Sequence, residues 1–142
     1  MSGEASASHS LADLVLTALA VTVMATYFAM THWGNPNITG GTRIWAMINI
    51  ALAGVLFGVC YLKTRSLALP IGLHLGWNWA QGCLLGFGVS GHTDKPGLLK
   101  PVFHDKPLWI SGGDFGLEAS VLFTLICSAA IVAMLFWKPK RT

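Results

Sequence analysis

Apolar residues run through this chain in four blocks, separated by short stretches that are polar or rich in glycine and proline. The blocks cover residues 11–30, 44–62, 67–89 and 119–137. Each is close to the ~20 apolar residues that a helix needs to cross a bilayer. The first gap, WGNPNITGGT, carries Pro and Gly and predicts a tight turn back into the membrane. The second is the short basic turn holding Lys63 and Arg65. The third, residues 90–118, is too polar to cross lipid and predicts a loop or half-inserted cap. The pattern predicts an all-α integral membrane bundle of about four transmembrane helices, spanning residues 11–137. A polar tail (1–10) precedes it and a basic tail (138–142) follows.

Two polar residues interrupt the third block. His74 and Asn78, in LPIGLHLGWNWAQG, stand four apart and so share one helix face. Polar side chains at membrane depth are costly without partners, so they usually face a bundle interior, a cavity or a reaction. An imidazole and a carboxamide could bind a metal, orient a water or donate to an oxyanion. They could equally serve as interhelical glue worth about 1 kcal/mol. His32 closes the first block in FAMTH, with Phe28 one turn above it on the same face. Alone it reads as an interfacial histidine. Taken together, the residues predict a polar site assembled between helices.

Composition sharpens this picture. Of 142 residues, 54% are hydrophobic and only 11% charged, against about 25% charged in soluble domains. The formal charge of +3 is spread over the gaps and the tail. No clustered basic face suggests nucleic acid. The start, MSGEASASHS, lacks the basic region of a signal peptide, so the first block reads as a retained span. Five Lys/Arg on the side holding Lys63, Arg65 and the tail face four on the other, which leans that side toward the cytoplasm.

Other features have plain readings. Cys60, Cys83 and Cys127 lie in apolar runs without CxxC spacing, as small buried side chains do. Most tryptophans lie near span ends as an aromatic belt, while Trp77 and Trp79 sit deeper and are candidates to wall the site. Gly72 with Gly76, and Gly82 with Gly86, have the spacing for close helix packing. The triplet Asn37-Ile38-Thr39 matches a glycosylation acceptor but carries no weight. In SGGDFGLE, Asp114 and Glu118 read as helix-capping acids, with a catalytic carboxylate the lesser reading.

Phe28-x-x-x-His32, the following WGNPN, the run LFGVCYLKTRSLALPIGLHLGWNW with His74-x-x-x-Asn78, and SGGDFGLEAS together resemble the CAAX-protease and bacteriocin-processing family of intramembrane proteases. The likeness covers about residues 26–136. It implies an intramembrane endopeptidase that hydrolyses peptide bonds of prenylated or membrane-associated peptides with activated water. His32, His74 and Asn78 would be its catalytic residues. His32 would position or deprotonate the water, and His74 and Asn78 would donate to the oxyanion. The implied partners are a peptide or prenylated protein substrate and the lipid bilayer, in a multi-pass protein of the plasma membrane.

One family signature, EExxxR, is absent from these residues. Counted back from Phe28, its glutamates would fall at or before Met1. The expectation is a chain that begins just after that signature, with activity reduced or lost. An alternative is a catalytically dead member that acts as a membrane binding or immunity protein. A second is a small b-type haem carrier using His32 and His74 as axial ligands. Two histidines, a carboxylate and water would satisfy zinc, but no matching carboxylate partner is evident. No cofactor is therefore expected.

Overall fold

A computed structural model describes residues 10–93, 96–102 and 107–138. Most of the two tails, and Asp94 and Asp105, lie outside these residues. Helix α1, Leu11–Met30, begins at a reciprocal cap: the Ser10 hydroxyl accepts from the Asp13 amide, and the Asp13 carboxylate accepts from the Ser10 amide. Inside α1, Thr22 and Thr26 donate back to the carbonyls of Ala18 and Thr22, so neither hydroxyl is left bare on an apolar face. Helix α2, Gly40–Thr64, closes on Arg65 in the left-handed region at φ 55°. The amine of Lys63 donates to the Leu135 carbonyl at 2.7 Å, a cation at the negative end of the last helix.

Helix α3, Ala68–Asn78, carries Pro70 in its first turn, where a missing N–H costs no helical bond. Directly after Asn78 it widens into a π-turn, Trp79–Leu84, with the Leu85 amide donating to the Ala80 carbonyl. The third apolar block therefore does not continue as helix to Val89. Gly86 turns the chain at φ +72°, against the Leu99 carbonyl, where a Cβ would clash. A short helix α4, Leu108–Ser111, and two 3₁₀ turns, Gly113–Phe115 and Leu117–Ala119, lead into α5, Val121–Phe136. Among the described residues there is no strand, and the molecule is all-helical.

Helix α2 is the centre, packed against α1, α3, α4 and α5. Its approach to α1 depends on small residues. A Cβ on Gly54 would stand 2.7 Å from Ala25 Cα, and one on Gly58 would stand 3.1 Å from a Val21 methyl. The close-packing glycines are thus on α2. Gly72 and Gly76 of α3, which the sequence spacing nominates, have nothing within 4 Å. Spacing shows that two glycines share a face, but not which face meets a partner.

The core mixes small residues, Ala25, Ala46, Ala53, Cys60 and Cys127, with the polar Asn49 and a few large side chains, Ile50, Leu56, Phe115 and Phe123. Large apolar residues such as Leu14, Leu19, Val23, Met24, Leu75 and Leu125 point outward. So many exposed large apolar side chains suit helices bathed in lipid, whose contacts are enriched in small residues. Helices α1 and α2 are each long and apolar enough to cross a bilayer, and α5 is a shorter apolar helix.

Candidate active site

Buried polar residues fix the loops that carry the site. Asn49, fully buried on α2, donates to the carbonyls of Glu118 and Ser120, both at 2.8 Å, and accepts from Thr124 at 2.7 Å. This holds the start of α5 and the backbone of Glu118 against α2. The loop after α1 is tied to the loop after the π-turn: Asn35 donates to the Ser90 carbonyl at 3.0 Å, and Asn37 to the Gly91 carbonyl at 2.8 Å. Gly116 adopts φ +104° with its Cα against the Gly88 carbonyl, a conformation open to glycine alone. That explains the glycine-rich SGGDFGLE string.

Between α1, α2, α3 and α5 lies a cavity of about 150 Å³. His32, from the turn after α1, and His74 and Asn78, from α3, all line it, with Phe28, Phe57, Trp77, Ser90 and Glu118. His32 sits in the turn just beyond α1. Its Nδ1 lies 2.8 Å from the Phe28 carbonyl, an acceptor only, so Nδ1 carries the proton and donates. Nε2 is then the basic nitrogen. His74 is held by rings: it stacks on Phe57 at 5.5 Å and meets Phe28 edge-on at 5.6 Å. Phe28 also packs edge-on against His32 at 4.9 Å. Among the described residues, the buried Asn78 Oδ1, Trp77 Nε1 and Gln81 Oε1 have no hydrogen-bond partner. Trp79, also a candidate wall residue, is exposed and does not line this cavity.

Glu118 departs from its sequence reading. It caps no helix: the α5 cap is Ser120, whose hydroxyl accepts from the Phe123 amide. Nor is Asp114 the cap. Glu118 is 6% exposed, and its carboxylate faces the other way. Oε2 accepts from the Ser90 amide at 2.6 Å and from Gln81 Nε2 at 3.3 Å, and Oε1 accepts from the Ser90 hydroxyl at 3.1 Å. Burial pushes this carboxyl above the usual carboxylate range, opposed by its bonds to Ser90 and Gln81. A carboxylate, the lesser of the two sequence readings of Glu118, therefore lines the same cavity as the histidines. The clue was an acid retained beside an apolar helix. Gln81 and Ser90, also missed, gave no signal, because the π-turn that swings Gln81 inward is a tertiary outcome.

His32, His74 and Glu118 share the cavity, yet no group of three or more His, Cys, Asp or Glu among the described residues is arranged to hold a metal ion. The Phe28 ring packs edge-on against both imidazoles.

The family model described as "Type II CAAX prenyl endopeptidase Rce1-like" matches residues 6–80, more than half of the chain. The chain belongs to this family. No curated protein and no solved structure matches the sequence. The Rce1-like match contains His32, His74 and Asn78, with the helices that carry them, and ends within the π-turn. Glu118 lies beyond it. The family is one of membrane-associated proteins, and α1 and α2 accord with that.

Proposed function

We propose that this protein is an intramembrane endopeptidase, hydrolysing a peptide bond of a prenylated or otherwise membrane-associated peptide with activated water. The observation that carries this reading is the meeting of His32, His74 and Asn78 around one largely apolar cavity in an Rce1-like chain. His32 Nε2, unprotonated because Nδ1 donates to Phe28, accepts a hydrogen from the attacking water. His74 and Asn78, one helical turn apart on α3, donate from ring N–H and amide to the oxyanion of the tetrahedral intermediate. Apolar walls keep bulk water out and strengthen those hydrogen bonds. The protein works as a multi-pass protein of the plasma membrane, on substrates that reach the cavity from the bilayer.

The test is cleavage of a fluorogenic farnesylated peptide by the purified chain in lipid vesicles. Slow turnover is expected, with His74→Ala and Asn78→Ala each lowering kcat/KM by about a further 10²–10³-fold. Binding of the peptide without cleavage would overturn the endopeptidase reading in favour of a catalytically silent, peptide-binding member of the family.

A further inference from the structure

We propose that a second chamber beside the π-turn, meeting the first cavity at Asn78, holds the stretch of peptide on one flank of the scissile bond and selects uncharged, apolar side chains there. The inference rests on the endopeptidase reading and adds to it the path of the substrate chain.

The chamber has a volume of about 440 Å³, and its walls include Asn78, Trp79, Cys83, Phe87, Val89 and His92. Asn78 lines both hollows. A peptide carbonyl that accepts from the Asn78 carboxamide belongs to a chain that continues in both directions. The first cavity, about 150 Å³, is below the roughly 300–1,000 Å³ of sites that enclose a drug-sized molecule. A peptide of several residues overfills it, and the larger chamber adjoins the residue that would hold the reacting carbonyl.

The chamber is built rather than a loose surface hollow. Val89 and His92 close its rim, each amide donating to the other's carbonyl, at 3.0 and 2.9 Å. The turn between them is tied down by Asn35 and Asn37 from the loop after α1. On the π-turn, the Cys83 carbonyl accepts from the Leu98 amide at 2.7 Å. That turn starts at the residue after Asn78, so one piece of backbone sets both the carboxamide and the chamber wall. Such widened turns recur at functional sites.

Its chemistry is aromatic and aliphatic. Trp79, Phe87 and Val89 supply apolar surface, and among the described residues no Lys, Arg, Asp or Glu lines the chamber. An apolar substrate side chain finds contacts there, whereas a charged one of either sign would be desolvated without a partner. Cys83 and His92 are exposed, so the chamber opens beside them.

The experiment times maleimide labelling of Cys83 in the full chain in vesicles. The ligand is a farnesylated peptide whose scissile amide is replaced by ketomethylene, which keeps the carbonyl and resists hydrolysis. Cys60 and Cys127 are buried and stay silent. At ten times its Kd the analogue is expected to slow labelling about 10-fold, as a ligand that covers the thiol does, while farnesyl-cysteine alone leaves the rate unchanged. Cys83→Trp, filling the chamber from an exposed position, raises KM for the cleavable peptide about 10-fold and changes kcat far less. Lys and Asp placed beside the scissile bond each cost about 10²-fold in kcat/KM on one flank alone. Cleavage of the parent peptide, with Cys83 labelled equally fast whether or not the analogue is bound, overturns the proposal and leaves the endopeptidase reading intact. Equal protection by farnesyl-cysteine also overturns it, making the occupant the lipid chain. Protection by the analogue without cleavage of the parent peptide upholds the chamber as a peptide site and sinks the endopeptidase reading.

Discussion

Glu118 illustrates how much a single buried acid can govern. Its folded-state pKa lies above the ordinary carboxylate value because burial disfavours the charge. The protonated form is thus favoured on folding, and its contribution is fully present below the ordinary carboxylate pKa and lost as pH rises through the raised one. Thermal unfolding in detergent should therefore show a Tm that declines from acidic toward higher pH over that window. The same slope should be absent in Glu118→Gln, and a persisting slope would assign it to another group. His32, His74 and Asn78 were legible in the sequence because polar groups in apolar runs stand out. Glu118 was not, since an acid just before a helix looks like a cap. Only the tertiary partners Ser90 and Gln81 reveal that its carboxylate turns inward.

Among the elements, the crossing of α1 and α2 is the most exacting contact. At Gly54 an added side chain meets the Ala25 backbone, which cannot swing aside. Gly54→Val is expected to destabilise the protein by about 1–3 kcal/mol, read as a lowered Tm, whereas Gly72→Val, facing open space, leaves packing intact. Equal effects of the two would show the crossing to be misplaced. Hydropathy located the apolar helices well, because burial in lipid imposes length and composition together. It could not distinguish α-helix from π-turn after Asn78, since both present the same apolar run. Nor could it select the packing face: His74 and Gly72 lie two residues apart on α3, and only His74 turns toward the cavity.

For the whole molecule, the unequal burial of the three cysteines gives a chemical test. Cys60 and Cys127 are buried between α2 and α5, while Cys83 on the π-turn is exposed. A maleimide should label Cys83 in the folded, detergent-solubilised protein, and the other two only after denaturation. Prompt labelling of Cys60 would contradict the packing of α5 on α2. The architecture also binds distant segments into one unit at Ser90. Its carbonyl is grasped by Asn35 from the loop bearing His32, and its amide and hydroxyl by Glu118. One serine is therefore a rivet between the imidazole and the carboxylate. Among descendants of a common ancestor, positions 35, 90 and 118 would be expected to drift together or not at all.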